Sequence, residues 1–256
     1  MEKMEVLRQY FGFSSFREGQ QTLIDAVLAG RDVLGVMPTG GGKSLCYELP
    51  ALLLPGLTLV ISPLISLMKD QVMALQNAGI PAGCIHSAMS VEELREAYRD
   101  TRFGAYKILY IAPERLLTDG FCALAQELEI SLLAVDEAHC ISQWGQDFRP
   151  SYLKILDFLQ KLPRRPALAA FTATATAQVR SDIVRILQLQ DPVTVVTGFD
   201  RPNLRFEVLR PQDKRRALLE LLEERRDKSG IVYCATRKGV EQICELLQSS
   251  GFAASR

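Results

Sequence analysis

Short apolar runs alternate with longer amphipathic stretches along most of the chain. Nearly uniform apolar runs are typical of parallel strands buried on both faces, whereas apolar residues every three or four positions indicate helices. The predicted strands cover residues 32–36, 57–61, 83–86, 107–111, 131–135, 166–171 and 193–197. The predicted helices cover residues 20–29, the first half of 44–54, 64–78, 91–98, 153–162 and 178–187. This alternation predicts an α/β fold, with a parallel sheet that carries helices on both faces.

A polar stretch separates this region from a second α/β segment. We interpret residues 199–203 as a domain linker, because Pro202 breaks regular structure there. Beyond it, strands are predicted at residues 204–209 and 230–234, and helices at 214–226 and 238–247. The predicted division is a first domain at 1–200, a linker at 201–207 and an incomplete second domain at 208–256. The last segment holds too few strands to close a sheet, so we expect a fragment or a truncated product.

A glycine-rich turn at residues 37–44 lies between the first strand and a helix. Glycines let backbone N–H groups close around an anion, and a helix N-terminus adds the positive end of its dipole. We expect the Lys43 ammonium to reach the β- and γ-phosphates of a nucleotide, and the Ser44 hydroxyl to ligate Mg²⁺. The phosphate cradle is assigned to Thr39, Gly40, Gly41 and Gly42. Met37 stands where the strict P-loop pattern has glycine, and the alternative is an ordinary turn with an incidental lysine.

A second polar cluster strengthens the prediction of a nucleotide site. The apolar strand at residues 131–135 ends in Asp136, Glu137, Ala138 and His139. A carboxylate at the end of a neighbouring strand can hold the metal bound to ATP, a role that we assign to Asp136. Glu137 is placed to orient and deprotonate the attacking water. Such a pair is common at strand ends by itself, but with a P-loop about a hundred residues earlier it predicts an ATP site.

An aromatic cluster precedes the P-loop and offers groups suited to a nucleotide base. The amide of Gln20 provides both a donor and an acceptor for an adenine edge. The guanidinium of Arg17 and an aromatic ring can sandwich a base, and the nearby rings are those of Phe11, Phe13 and Phe16. The alternative is a capping helix with core phenylalanines, which the local sequence favours when the P-loop is left aside.

Two strand ends carry groups suited to a nucleic-acid phosphate. Ser62 ends the second strand, and the following helix carries Lys69. The Ser62 hydroxyl and nearby backbone N–H groups could hold a phosphate, although an ordinary strand–helix loop fits equally well. Arg115 follows the strand at 107–111, and it is a candidate either for a phosphate contact or for an ion pair with a neighbouring helix.

An aromatic segment follows residues 136–139 directly. It contains Trp144, the only tryptophan of the chain, together with Phe148 and Arg149. Aromatic rings interleaved with arginine suit base stacking and phosphate contact, and the alternative is an aromatic loop packed onto the core. The threonines at 172 and 176 end a later strand, where their hydroxyls could bond both residues 136–139 and a moving partner domain.

Composition limits the remaining choices. The formal net charge is zero, so any nucleic-acid contact must use local patches. The six cysteines form no Cys-x-x-Cys pair and no metal-ligand spacing, which predicts reduced, mostly buried thiols. The N-terminus has no apolar signal region, and no apolar run is long enough to cross a bilayer. We therefore expect a soluble, cytoplasmic protein, associated with the nucleoid if its source is a prokaryote.

From Tyr10 onwards the sequence resembles the N-terminal motor portion of RecQ-family DNA helicases, within helicase superfamily 2. The family's adenine-reading motif resembles residues 11–20, and its P-loop variant resembles residues 37–44. Further likenesses are single-strand contact motifs at 62–71 and 113–115, a Walker B box at 136–139, an aromatic-rich loop at 140–150, a motif coupling hydrolysis to movement at 172–175 and the first motif of the second motor domain at 231–237. Together these motifs are highly specific.

The resemblance implies a RecA-like first domain followed by the start of a second RecA-like domain. It implies ATP and Mg²⁺ as ligands, single-stranded and partly duplex DNA as partners, and ATP-driven 3′ to 5′ translocation with unwinding. By this likeness the adenine contacts are Phe13, Arg17 and Gln20. The catalytic group is Lys43, Asp136, Glu137 and His139. The implied DNA contacts are Ser62, Lys69, Arg115, Trp144, Phe148 and Arg149.

Two departures from the family pattern qualify this expectation. Gln146 stands where the aromatic loop usually has histidine, and glutamine cannot protonate, which leaves the loop's communication with the ATP site open. The chain also lacks the later motor motifs, the arginine finger, the winged helix and the four zinc-binding cysteines, so we expect no zinc site in it. Two alternatives stay in view. One is a nucleotide-binding module without motor activity, and the other is an RNA helicase, which Trp144 and His139 disfavour.

Overall fold

A computed structural model of the chain describes residues 2–198 and 204–256. The predicted linker at 199–203 lies outside the described residues, as does the first part of the linker range 201–207. The chain divides into two compact units, Met1–Asp200 and Arg201–Arg256.

The first unit is built on a seven-stranded sheet in which every strand pair is parallel, in the order β3-β4-β2-β5-β6-β1-β7. Its strands are β1 (Val33–Val36), β2 (Leu57–Ile61), β3 (Ala82–Ile85), β4 (Ile108–Ile111), β5 (Ile130–Val135), β6 (Ala167–Thr172) and β7 (Val193–Val196). All seven correspond to strands predicted from apolar runs. The predicted α/β class with a parallel sheet is therefore confirmed.

Among the described residues of the first unit there are eight α-helices, of which two precede β1 and the others follow or connect the strands. They are α1 (Lys3–Phe11), α2 (Gln20–Leu28), α3 (Leu45–Leu53), α4 (Ile65–Asn77), α5 (Val91–Arg102), α6 (Asp119–Glu127), α7 (Lys154–Leu159) and α8 (Ala177–Ile186). Three 3₁₀ turns lie at Pro113–Arg115, Ala138–Ile141 and Pro150–Leu153. Ser90 begins α5 with a capping box, in which its hydroxyl and Glu93 satisfy each other's backbone N–H groups.

Two apolar layers cover the two faces of the sheet. Helices α1 to α4 supply one layer, whose largest buried side chains include Tyr47 packed against Phe171 of β6. Helices α5 to α8 supply the other, where Phe121 stacks on Phe158. Because both faces are covered, the central strands β1, β2 and β4 are buried along their whole length. Helices on both faces are thus confirmed.

Several helix predictions were wrong in extent. Helix α6 was not predicted, since Gly120 and the mixed composition of its nine residues obscure the helical period. Helix α3 continues through Pro50 to Leu53, although only its first half was expected to be helical. Helix α7 covers only part of the predicted range 153–162, because a 3₁₀ turn includes Leu153 and the helix ends at Leu159, before residues 160–162.

The second unit contains helices α9 (Lys214–Glu223) and α10 (Arg237–Ser249). The strands predicted at 204–209 and 230–234 were wrong, because neither segment forms a strand. Their side chains are exposed, as Phe206 and Tyr233 illustrate. A strand needs ladder partners, and the described part of this unit offers no paired strand.

Two smaller expectations can also be compared with the structure. All six cysteines are free, but only Cys46 and Cys140 are buried, so the prediction of mostly buried thiols was wrong. Among the described residues, no helix combines the length and the apolar character needed to span a membrane.

Candidate functional site

The predicted P-loop and the box at residues 136–139 lie at the same edge of the sheet. They follow β1 and β5, and β6 runs between those two strands. The N–H of Met37, just after β1, donates to the carbonyl of Thr172 at the end of β6, at 3.0 Å. The carboxyl ends of parallel strands form the usual ligand edge of such sheets.

The glycines of the P-loop adopt conformations that other residues rarely take. Gly40 and Gly42 both have a φ of 79°, in the left-handed region. A Cβ on Gly41 would lie 2.8 Å from the carbonyl oxygen of Pro38, so the turn has no space for a side chain there. Helix α3 begins at Leu45, directly after Ser44. The turn therefore places the N-terminus of α3 beside the position that a bound anion would occupy.

The ammonium group of Lys43 folds back over the turn. Its Nζ donates to the carbonyl of Met37 at 3.3 Å, and the side chain is only partly buried. The positive charge of Lys43 also lowers the pKa of Asp136 and Glu137, although it is a secondary influence on both. The structure thus brings the predicted phosphate-binding lysine close to the predicted catalytic carboxylates.

The predicted adenine-binding residues contact the P-loop backbone. Gln20 is buried, and its Nε2 donates to the carbonyls of Gly41 at 3.3 Å and Gly42 at 3.1 Å. Its Oε1 accepts the N–H of Arg17 at 2.8 Å, and Nη1 of Arg17 donates to the carbonyl of Gly40. These contacts place both residues beside the nucleotide cradle. The reading of adenine by Gln20, with Phe13 and Arg17 flanking the base, stays a prediction.

Asp136 is a buried carboxylate at the end of β5. Burial and, after it, the charge of Glu137 raise its pKa to about 6, although the N–H of Glu137, which donates to Oδ1 at 3.0 Å, favours the ionised form. A divalent cation would offset the cost of burying this charge. Carboxylate and hydroxyl oxygens are ligands that Mg²⁺ accepts, so Asp136 and Ser44 fit the predicted role. Among the described residues, no group of three or more His, Cys, Asp or Glu side chains could hold a metal ion.

Glu137 is held in a strained backbone conformation beside His139. Its φ of 48° lies in the left-handed region, which is uncommon for a residue with a Cβ. Oε2 of Glu137 lies 3.2 Å from Nδ1 of His139. This hydrogen bond lowers the pKa of Glu137, so the carboxylate stays ionised and able to accept a proton.

The His139 ring connects the carboxylate to β6. Its Nδ1 lies 2.8 Å from Oγ1 of Thr172, whose own proton goes to the carbonyl of Thr174. Thr172 therefore accepts, and Nδ1 of His139 is the donor. Hydrogen bonds from the ring to Cys140 and Glu137 raise the pKa of His139 to about 10. The expected contact between the threonine segment and residues 136–139 is thus present.

The predicted phosphate contacts Ser62 and Arg115 lie at the ends of adjacent strands β2 and β4. Oγ of Ser62 and Nε of Arg115 are buried and have no hydrogen-bond partner, while Nη2 of Arg115 donates to the carbonyl of His86 at 3.3 Å. Buried polar groups without partners are uncommon and call for an explanation. His86, at the end of β3, shares this property at Nδ1 and was not singled out from the sequence. Lys69 lies near enough to lower the pKa of His86, after burial itself.

We call residues 142–149 the Trp144 loop. The Trp144 side chain is 74% exposed, which confirms that it lies outside the core. Phe148 is half-buried. Arg149 is bound to protein groups, since Nη1 donates to the carbonyl of Pro63 at 2.9 Å and Nη2 pairs with Asp147 at 2.7 Å. The direct contact of Arg149 with DNA stays a prediction, and its observed role is to tie this loop to the loop after β2.

Two residues support the site in ways that the sequence did not predict, and Tyr152 is one that the sequence had grouped with the aromatic residues suited to base stacking. Tyr152 is fully buried, and its hydroxyl donates to the carbonyl of Asp136 at 2.9 Å. Ser142 is fully buried, and its hydroxyl donates to Oδ2 of Asp182 on α8 at 2.7 Å. Ser142 lies in the aromatic segment that the sequence analysis had singled out. No sequence pattern indicated that the distant Asp182 is its partner.

A parallel α/β sheet that carries a P-loop and an acidic box at its carboxyl edge defines a P-loop nucleotide-binding protein. The family model described as DEAD/DEAH box helicase matches residues 17–183. The chain belongs to this family. The match covers both the P-loop and the 136–139 box.

Curated relatives narrow the likeness to RecQ helicases. The chain is 48% identical over 252 residues to the ATP-dependent DNA helicase RecQ of Bacillus subtilis, covering 98% of this chain and 43% of that protein. It is 45% identical over 251 residues to the RecQ of Pasteurella multocida, covering 98% of this chain and 40% of that protein. The chain therefore spans about two fifths of the length of these relatives.

Solved structures agree on the fold. The helicase MrfA superposes with a TM-score of 0.72 at 20% identity, covering 98% of this chain and 41% of that one. A hypothetical ATP-dependent RNA helicase from Sulfolobus tokodaii gives a TM-score of 0.62 at 22% identity, covering 95% of this chain and 71% of that one. Both likenesses show the same α/β fold.

Proposed function

We propose that this chain forms part of a RecQ-type motor, in which ATP hydrolysis drives 3′ to 5′ movement along DNA and unwinding of duplexes. Identity of 44–48% to proteins named RecQ DNA helicases supports this assignment. One structural observation supports it most directly. A continuous hydrogen-bonded path runs from Lys43 through Met37 and Thr172 to His139. It links the nucleotide cradle to the acidic box in a single network.

The nucleotide end of the proposal assigns one task to each group. Backbone N–H groups of residues 39–44 bind the phosphates, and Lys43 neutralises charge on the β- and γ-phosphates. Ser44 and Asp136 would hold Mg²⁺, which supplies further charge neutralisation when bound. Glu137 accepts a proton from the attacking water and orients it for in-line attack on the γ-phosphate.

His139 and Thr172 connect hydrolysis to the rest of the motor. Their contact joins the acidic box to the segment that leads into α8. A change in charge at Glu137 alters its hydrogen bond with Nδ1 of His139. The strength of the bond between this nitrogen and the Thr172 hydroxyl then changes as well. The network offers a route by which phosphate release would be sensed at β6.

The DNA end of the proposal uses two neighbouring areas of the carboxyl edge. Ser62, Lys69 and Arg115 bind phosphates of one strand, and the unsatisfied hydroxyl of Ser62 and Nε of Arg115 favour this role. Trp144 offers a base-stacking surface, because it is the exposed aromatic side chain of its loop. Phe148 and Arg149 support that surface and contact the strand at its side.

We further assign the two compact units to two motor domains. The first RecA-like domain covers residues 1–200, a linker covers 201–207, and residues 208–256 belong to a second RecA-like domain. The two-unit division of the chain supports this assignment. Alternating approach of two such domains is the accepted kind of motion for strand translocation.

A comparison of Glu137→Gln with the unchanged protein tests the proposal. The variant keeps the shape of the side chain but removes its basicity. We expect unchanged affinity for Mg·ATP and loss of ATP hydrolysis, since only the proton acceptor is lost. Affinities for single-stranded DNA and RNA of the same sequence are measured in parallel. Normal hydrolysis in the variant would exclude the assigned base, and preference for RNA would favour an RNA helicase.

A further inference from the structure

We infer that Asp182 on α8 is a positioning residue, which holds the Trp144 loop in its exposed conformation through the hydroxyl of Ser142. The inference rests on the proposed function, because it concerns the loop assigned to single-stranded DNA. It adds a residue outside that loop, 40 positions from Ser142 in sequence.

The hydrogen bonds around Ser142 have a fixed direction. The Ser142 hydroxyl donates to Oδ2 of Asp182 at 2.7 Å. The Oγ atom of Ser142 in turn accepts the backbone N–H of Trp144 at 3.2 Å. A hydroxyl has one proton, so its donation to the carboxylate leaves the lone pairs for the Trp144 N–H. The bond to an ionised carboxylate is of the stronger kind. The carboxylate thus orients the group that holds the tryptophan backbone.

The other oxygen of the Asp182 carboxylate has a separate partner. Asp182 is buried, and its Oδ1 accepts from Nη2 of Arg185 one turn further along α8 at 2.9 Å. Arg185 and Ser142 together hold the pKa of Asp182 below its usual value. The two carboxylate oxygens therefore serve different partners, which allows their roles to be separated by mutation.

Side-chain packing alone gives Trp144 little support. A groove of about 330 Å³ is lined by Trp144, Phe148, Asp182 and Arg185. The Trp144 ring is largely exposed. A side chain with so few packing contacts depends on its backbone for orientation. The Ser142 hydroxyl holds the N–H of Trp144, and the Ser142 carbonyl accepts the N–H of Gly145 at 2.9 Å.

The position of α8 gives the anchor a further consequence. The helix begins at Ala177, where the Thr176 hydroxyl accepts the N–H of Val179 at 3.3 Å. The preceding segment starts at Thr172, which is bonded to His139. A shift of this segment on hydrolysis would move the start of α8, and the bond between Asp182 and Ser142 would pass that shift to the Trp144 loop.

The only tryptophan of the chain provides a direct readout of the loop. We would measure the fluorescence anisotropy of Trp144 and its quenching by acrylamide in Asp182→Ala, Ser142→Ala and Arg185→Gln, with thermal unfolding recorded for each. We expect lower anisotropy and stronger quenching in the first two variants. Arg185→Gln is the matched control, because it removes the ion pair of Asp182 but keeps the bond to Ser142. It should retain the fluorescence of the unchanged protein.

Asp182→Asn distinguishes positioning from a general loss of structure. Its amide oxygen can still accept from Ser142, so it should restore most of the anisotropy that Asp182→Ala loses. Affinity for an oligo-dT strand should fall about twofold to tenfold in Asp182→Ala, the range expected for one hydrogen bond, and Mg·ATP affinity should not change. If Asp182→Ala does not fold, Ser142→Ala and Asp182→Asn give the same comparison.

Two results would overturn the inference. One is unchanged anisotropy and quenching in folded Asp182→Ala, and the other is the same loss in Arg185→Gln as in Asp182→Ala. Trp144→Ala separates this inference from the proposed function. If Trp144→Ala binds oligo-dT normally, the DNA role of the loop fails, while altered fluorescence in Asp182→Ala still supports positioning by Asp182.

Discussion

Nδ1 of His139 lies 2.8 Å from the hydroxyl oxygen of Thr172, across the gap between the ends of β5 and β6. The same nitrogen lies 3.2 Å from Oε2 of Glu137. One ring N–H is therefore shared between a residue of the acidic box and a residue that leads towards α8. The protonated form of His139 is the form that this arrangement stabilises.

This arrangement predicts a pH dependence of stability. The pKa of His139 is raised from 6.5 to about 10 in the folded protein. The stabilising contribution of the ion is thus complete below pH 6.5 and is lost as the pH rises through about 10. We expect the free energy of unfolding, measured in urea, to fall more between pH 7 and pH 10 in the unchanged protein than in His139→Gln.

His139→Gln serves as its own control in this experiment. Tyrosine and lysine side chains titrate over the same range in both proteins, so the difference between the two curves reports His139 together with its partners Cys140 and Glu137. Parallel curves would show that the imidazolium contributes nothing to the folded state.

Removal of the Lys43 ammonium should weaken nucleotide binding. Lys43→Ala loses a charge-assisted contact with the phosphates, for which we expect a loss of about tenfold to a hundredfold in Mg·ATP affinity. The measurement is equilibrium binding of a fluorescent ATP analogue, in this chain or in a longer protein that contains it. Lys161→Ala, which removes an exposed lysine after α7, should bind normally. Equal affinities of the two variants would remove the P-loop assignment.

Trp144→Ala should weaken DNA binding without a loss of stability. A stacked aromatic contributes about 1–3 kcal/mol per base to single-strand affinity. The side chain is largely exposed, so its removal should leave the thermal midpoint within error. Phe103→Ala removes an exposed aromatic at the end of α5 and should change neither property. A lowered midpoint with normal oligo-dT binding would mean that Trp144 packs onto the core.

The sequence predicted those parts of the fold that depend on local chemistry. Strand β1 and the glycines after it could be recognised because apolar burial and left-handed backbone each have a direct residue preference. The strands expected at 204–209 and 230–234 failed because a strand also needs neighbours, which local sequence does not encode. The β-propensity of a segment predicts a candidate strand, but the strand forms only when a neighbouring strand pairs with it.

The site shows the same division. Lys43 and Asp136 could be proposed from the sequence because one belongs to a glycine-rich turn after a strand and the other directly follows a strand, and their roles stay predictions. The partners of Arg149 and Ser142 were not found, since Pro63 and Asp182 lie 86 and 40 residues away in sequence. Contacts at such separation follow from the order of strands and helices, and a single sequence carries no record of them.

Asp32→Ala should destabilise the first unit strongly. Asp32 is buried before β1, where it pairs with Arg165 at 2.6 Å and accepts the backbone N–H groups of Leu168 and Gln190. Removal of the carboxylate leaves these donors without a partner, which should cost about 3–5 kcal/mol in urea unfolding. Arg31→Ala breaks a surface ion pair and should cost under about 1 kcal/mol. Similar costs for both would mean that the buried pair is not a determinant of stability.

Gly145→Ala should disturb the acidic box from the Trp144 loop. A Cβ on Gly145 would overlap the carbonyl oxygen of His139 and lie 3.1 Å from that of Ser142. Both atoms belong to the backbone, so no side chain can turn away to make room. We expect a loss of about 1–3 kcal/mol in stability, together with a shift in Trp144 fluorescence, because the loop must move away from His139.

Gly198→Ala provides the control for this substitution. A Cβ at Gly198 meets nothing within 4 Å, and its backbone is not left-handed. Its effect on stability should stay within about 0.5 kcal/mol. Equal stability and equal fluorescence of the two variants would mean that the loop can retreat from His139 without cost. The close approach of Gly145 to the His139 carbonyl would then have no consequence. The backbone of the acidic box can set the position of the Trp144 loop only if that contact is rigid.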